Sequence, residues 1–197
     1  MNPTSRTTTR ERSTKETTIT CRLDLDGSGE ITAATGIGFL DHMLTALAFH
    51  AGWDLDLQCS GDLEVDDHHT AEDCALVVGE ALDEALGDRT GIVRFGSAYA
   101  PLDEALARTV VDFSGRPWPQ VELGLEREML GGIACENVSH VLRSLAVAAR
   151  CALHVDVLRG DNDHHRAEAA FKATALALRQ ACLRTEDQIP STKGVLV

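Results

Sequence analysis

The chain has 197 residues, a formal charge of −13 and 44% hydrophobic residues, which suits one globular domain or two small ones and excludes a disordered chain. Acidic residues outnumber basic ones 31 to 18 and aromatics make up only 4%, so neither phosphate attraction nor base stacking favours a nucleic-acid partner. No apolar stretch approaches the roughly 20 residues of a membrane helix, and no two of the six cysteines form a CxxC pair, so no membrane association and a cytoplasmic chain with free thiols are expected.

The Thr-rich start, residues 5–10, reads as an exposed strand rather than a transit peptide, because Glu11 and Glu16 follow at once. Residues 17–25 alternate in part, residues 26–29 form a turn, and residues 30–35 return as a short strand. Apolar positions 39, 40, 43, 44, 47 and 48 have helical spacing. Residues 53–59 read as a strand, and residues 68–86 as a long helix stopped by Gly87. Strands are predicted over residues 93–100, 106–113 and 119–125, a helix over 133–149, a strand over 151–158 and a helix over 165–183.

The order is three strands, helix, strand, helix, stated twice. The fold class is therefore α+β, with a first half at residues 1–90 and a second at 91–197 forming one compact unit. The residues repeat as well as the elements. His42-Met43-Leu44 matches His140-Val141-Leu142, and His68-His69-Thr70-Ala71-Glu72 matches His164-His165-Arg166-Ala167-Glu168. The offset is 98 residues at the first pair and 96 at the second, so one two-residue deletion reconciles an internal duplication.

Six of the eight histidines belong to this repeat. One such pattern would pass for surface histidines; two in register point to metal. His68 and Glu72 share a helix face, as do His164 and Glu168, while adjacent histidines point about 100° apart. The simplest arrangement is two ions, with each His-His pair dividing its members between them. The ligands would be His42, His68, His69, Glu72, His140, His164, His165 and Glu168, four per ion. An octahedral ion would then keep two positions open for chemistry. Nitrogen and carboxylate donors without thiolate suit Mn, Fe, Co, Ni or Zn. His154 reads as an ordinary strand histidine.

Further stretches add to the pattern: Gly38-Phe39-Leu40-Asp41-His42, Arg94-Phe95-Gly96, Asp112-Phe113-Ser114-Gly115-Arg116-Pro117, Asn162-Asp163-His164-His165 and Pro190-Ser191-Thr192-Lys193-Gly194. In this order they make the chain resemble imidazoleglycerol-phosphate dehydratase of histidine biosynthesis, in its monofunctional form, from Glu16 to the C-terminus. One departure is Ala46, where many members carry glutamine. The resemblance implies halves like the second domain of ribosomal protein S5, a homo-oligomer of 24 subunits with shared active sites, and two manganese ions per site. It also implies Glu16 as the general base. Substrate contacts would come from His50, Arg94, Arg116, Lys172, Ser191, Thr192 and Lys193. Asp41, Asp73 and Asp163 would orient ligands, although helix capping serves equally for Asp163.

The implied reaction converts D-erythro-imidazole glycerol phosphate to imidazole acetol phosphate. The proton to be removed sits beside an imidazole rather than a carbonyl. A metal on each ring nitrogen would hold the ring as an imidazolate on the way to a diazafulvene. Two other classes remain open at this point: a dinuclear metallohydrolase, and a non-catalytic protein assembled by metal.

Overall fold

The computed structural model describes residues 6–185 and residue 191. In the strand β2 (Thr17–Asp24), Thr17, Ile19, Cys21 and Leu23 are buried and the residues between them face out, the period of two that lays one face of a sheet on a core. β2 pairs antiparallel with β1 (Thr7–Ser13) and with β4 (Asp54–Gly61), and β3 (Ile31–Ala34) runs parallel to β4. The sheet order is β1-β2-β4-β3. The helices α1 (Gly38–Ala51) and α2 (His68–Leu86) complete this set.

The second set repeats the plan. β6 (Ala105–Asp112) alternates as β2 does, pairs antiparallel with β5 (Phe95–Leu102) and β10 (Ala152–Arg159), and β7 (Trp118–Glu122) runs parallel to β10. The order β5-β6-β10-β7 matches the first sheet strand for strand. The helices are α3 (Cys135–Ala148) and α4 (Asp163–Cys182). One addition escapes the sequence reading: a hairpin of β8 (Met129–Leu130) and β9 (Ile133–Ala134) precedes α3. It takes residues 133–134 from the predicted helix. Strands of two residues are too short to show alternation, so only Gly131-Gly132 signalled a turn.

Each helix packs on the sheet of its own half and on a helix of the other half, α1 on α4 and α2 on α3. This crossed pairing positions the site. It needs close approach, and the sequence supplies small residues for it. α4 buries Ala167, Ala169, Ala170, Ala173, Ala175, Ala177 and Ala181. At Gly79 of α2, a Cβ would stand 2.6 Å from the Leu145 carbonyl oxygen and 2.7 Å from the Ala148 Cβ of α3. The linker between the halves is held by buried Arg89, whose guanidinium donates to the carbonyls of Phe113, Ala149 and Arg150 and to Asp83. No described helix is long and apolar enough to cross a membrane.

The Gly79 contact is testable. Alanine in an open helix position would stabilise by about 1 kcal/mol, but here the methyl must push α3 away. Gly79→Ala is expected to destabilise the chain by about 2 kcal/mol in urea denaturation; a stabilised variant would contradict the close approach.

Candidate metal centre

The crossed helix pairs bring together residues far apart in sequence. His42 of α1 meets His164 and Glu168 of α4, and His140 of α3 meets His68 and Glu72 of α2. Within each trio the donor atoms lie within 4.8 Å of one another. Glu168 Oε2 is 3.1 Å from both His42 Nε2 and His164 Nε2. The Glu72 carboxylate spans its pair, 3.1 Å from His140 Nε2 and 3.6 Å from His68 Nε2. The His-x-x-x-Glu spacing places the last two donors on one helix face; the partner helix supplies the third.

The eight predicted ligands do not fall into two sets of four within one chain. His69 and His165 lie outside both trios, because each side chain diverges from its neighbour, with ring centroids 6.1 Å apart in both pairs. His69 Nδ1 is 3.0 Å from Asp62 Oδ2, and its Nε2 is 3.8 Å from Glu16 Oε1. His165 Nδ1 is 2.7 Å from Glu104 Oε2. Both histidines have pKa values raised above the ordinary imidazole range, by the hydrogen bond to Asp62 and to Glu104 respectively.

Three histidines have their tautomer set by neighbours that sequence reasoning missed. A carboxylate only accepts, so Asp62 and Glu104 keep the ring proton of His69 and His165 on Nδ1 and leave Nε2 with a lone pair. For His68 the setting is indirect. Asn137 Nδ2 donates to Asp67 Oδ2 at 2.9 Å, which turns Asn137 Oδ1 towards His68 Nδ1 at 3.0 Å. Asn137 occupies the place in α3 that Phe39 has in α1, three residues before the helix histidine. Phe39 instead packs edge-on against His164, with centroids 5.2 Å apart. Aligning the two repeats would have exposed this difference.

The trio of His42, His164 and Glu168 is the more electrostatically loaded. Burial would raise the Glu168 pKa, but Lys172 Nζ at 2.6 Å and the bonds to His42 and His164 pull it down to about 2. Lys172 and burial together hold His50 below the usual imidazole range, burial contributing more. His50, eight residues after His42 on α1, thus lies in the field of Lys172.

Arg94 is held side-on by Asp112, at 2.6 Å and 3.0 Å, and its guanidinium lies 4.6 Å from the Phe95 ring centroid. Arg116 is exposed in the turn after β6, and Ser191 is half-buried. Thr192 and Lys193 lie outside the described residues. Glu16 sits in the β1–β2 turn beside a polar cleft of about 270 Å³, also lined by Lys15, Thr18, Ser60, Asp62 and Glu64. Another cleft, of about 590 Å³ between β7, the β8 strand and α3, contains none of the eight predicted ligands.

Two of the three flanking aspartates hold backbone rather than histidine. Asp41 accepts from the Thr35 amide and hydroxyl. Asp163 neither caps α4 nor orients its histidines: Asn162 caps the helix by accepting from the amides of His164 and His165, and Asp163 accepts from the amides of Glu126 and Arg127. Asp73 accepts from the Thr17 hydroxyl at 2.5 Å and pairs with Arg12 at 2.9 Å. It therefore ties the strands on either side of the Glu16 turn to α2.

Comparison with known proteins decides the family. The model of the imidazoleglycerol-phosphate dehydratase family matches residues 35–178. The chain belongs to that family. It is 55% identical over 205 residues to the imidazoleglycerol-phosphate dehydratase of Candida glabrata, covering 94% of this chain and 98% of that one. It is 54% identical over 193 residues to that of Salinibacter ruber, covering 97% and 96%. Its structure resembles the crystal structure of the Staphylococcus aureus dehydratase with a TM-score of 0.82 at 38% identity, over 91% of this chain and 99% of that one. The Pyrococcus furiosus structure, in complex with (S)-C348, matches with a TM-score of 0.82 at 37% identity, over 95% and 100%. The chain is thus a lyase of histidine biosynthesis, with the α+β fold of the dehydratases.

Replacing Asp73 tests the anchoring of the Glu16 turn. Asp73→Ala leaves the Thr17 hydroxyl without its buried acceptor, at a cost of about 2 kcal/mol. It is expected to lower kcat roughly ten-fold or more by loosening the Glu16 turn, while the content of bound divalent metal, measured by elemental analysis, matches that of the wild type. Wild-type kcat in this variant would separate the anchor from catalysis.

Proposed function

We propose that the chain dehydrates D-erythro-imidazole glycerol phosphate to imidazole acetol phosphate, with two manganese ions at each active site and sites shared between copies. One observation carries this reading. Each trio combines donors from both halves of the chain, and one histidine of each His-His pair, His69 or His165, lies outside both trios. Docking one chain on another could bring His69 of the first to the trio of His42, His164 and Glu168 of the second. The same docking would bring His165 to the trio of His68, Glu72 and His140. Each adjacent pair would then divide its members between two ions, with four donors on each.

The donor set fits the metal. It is all imidazole and carboxylate with no thiolate, which suits manganese among its neighbours. Nε2 atoms converge in both trios, and in the neutral ring the bonds at Nδ1 of His68, His69 and His165 direct the lone pair of Nε2 to ligation. Bound ions would hold the substrate ring by its two nitrogens and stabilise the negative charge that its carbon acid must otherwise bear.

The chain's own residues then do the rest. Glu16 Oε1 takes the proton from the carbon beside the ring, since Glu72 and Glu168 are engaged as ligands. Arg94, preset by Asp112, binds the phosphate with Arg116, Lys172 and the segment Ser191, Thr192 and Lys193. His50, kept neutral near pH 7 by burial and Lys172, meets a substrate hydroxyl. Such docking joins unlike faces of neighbouring copies and gives a finite particle where the rotation closes, for which the family resemblance implies 24 copies. The six cysteines are all free, which supports a reducing cytoplasm.

Chelation tests metal, activity and assembly together. Removing manganese is expected to stop turnover and shrink the particle on analytical ultracentrifugation, because ligands from two chains couple assembly to the ion. Glu16→Gln should lose about 10²–10⁴-fold in kcat with particle size and manganese content unchanged. Release of inorganic phosphate instead of imidazole acetol phosphate would point to a metallohydrolase. A chelated particle of unchanged size would rule out ions between chains.

A further inference from the structure

The duplication gives Glu16 a twin. Glu16 immediately precedes β2, and Glu104 immediately precedes β6, the equivalent strand of the second half. Each lies in the turn of the first hairpin of its half, next to the second histidine of that half's His-His pair. Yet the two carboxylates are used differently. Glu16 approaches His69 Nε2 only to 3.8 Å and its side chain is half exposed. Glu104 is fully committed: Oε2 accepts from His165 Nδ1 at 2.7 Å, and Oε1 accepts from the amides of Asp161 at 3.1 Å and Asn162 at 2.9 Å.

The difference continues at the end of the next strand of each half. Asp62 immediately follows β4 and its neighbour Gly61, and it holds His69 by its Nδ1. The repeat of Ser60-Gly61-Asp62 is Arg159-Gly160-Asp161, and Gly61 closes on Thr70 as Gly160 closes on the equivalent Arg166, so Asp161 is the counterpart of Asp62. Asp161 donates its amide to Glu104, and the carboxylate that meets His165 Nδ1 is that of Glu104. In the second half Glu104 therefore takes the role that Asp62 has in the first.

We propose that Glu104 is a positioning residue for His165, fixing its proton on Nδ1 and aiming Nε2 outward as a metal ligand, while its twin Glu16 is left unencumbered for proton transfer. The duplicated carboxylate has divided its labour. In the first half Asp62 holds the histidine, which releases Glu16 to act on substrate. In the second half Glu104 holds it and takes no proton from substrate. The inference rests on the manganese reading above and adds the residue that sets one of its ligands.

Manganese binding tests it, read by loss of the free Mn²⁺ electron paramagnetic resonance signal on titration of wild type, Glu104→Ala and Glu104→Gln. Gln separates positioning from loop anchoring. Its amide oxygen still serves the two backbone donors of Asp161 and Asn162, so its NH₂ must face His165 Nδ1. The imidazole proton then moves to Nε2 and blocks ligation. Both variants are expected to weaken one class of site roughly 10- to 100-fold, Gln no less than Ala. Wild-type affinity in Glu104→Gln would overturn the proposal and leave Glu104 a loop anchor. Intact affinity with lost turnover would overturn it by placing Glu104 on the substrate. A wild-type chain that binds no manganese would remove the metal reading itself, and this inference with it. Should Glu104→Ala fail to fold, Glu104→Gln decides alone.

Discussion

The packing of each helix against a helix of the opposite half is the constraint on which the site depends. A His-x-x-x-Glu face alone offers two donors on one helix. The third donor is delivered only because α3 crosses α2, and α1 crosses α4, closely enough to place His140 and His42 over those faces. Small residues make the crossing possible, Gly79 at one interface and the alanine-rich α4 at the other. The same apolar burial that stabilises the chain thereby sets the spacing of its polar donors.

Around that frame the two halves are no longer equal. The trio on α2 and α3 has its His68 oriented through Asn137 and Asp67. The trio on α1 and α4 has Phe39 against His164, and Lys172 on Glu168. The first half anchors its hairpin to α2 by a buried polar contact, Asp73 to Thr17 and Arg12; Ala105 and Ala169 stand at the equivalent positions of the second half. On the proposed sharing, a site completed by two copies would receive unlike surroundings on its two sides. That suits a reaction in which one side must take a proton and the other must hold a phosphate.

Much of this was legible in the sequence where the physics is local. The period of two in residues 17–24 and the helical spacing after His68 follow from backbone geometry. The duplication appears as repeated residues, and the α+β class with it. What was not legible is nonlocal. Nothing near Asn137 indicates that its amide reaches His68, or that Glu104 lies against His165. Those contacts exist only after helices and hairpins meet. Asp163 misled because its position beside a helix start suggests a cap, whereas Asn162 caps and Asp163 reaches the amides of 126 and 127. The division of each His-His pair between two ions rests on local geometry, adjacent helix residues pointing apart, but which chain supplies the fourth donor of each set is nonlocal.

The central claim is that an active site is completed between chains, with Glu16 and His69 supplied by one copy and His165 by another. Subunit mixing tests it most directly. A chain carrying Glu16→Gln with His69→Ala and a chain carrying His165→Ala are each inactive if the claim holds. Co-assembled at equal ratio, about one quarter of sites would join an intact Glu16 and His69 to an intact His165. Turnover of imidazole glycerol phosphate should therefore return to roughly one quarter of wild type. No recovery from a fully mixed, manganese-loaded assembly would contradict the claim and confine the site to a single chain.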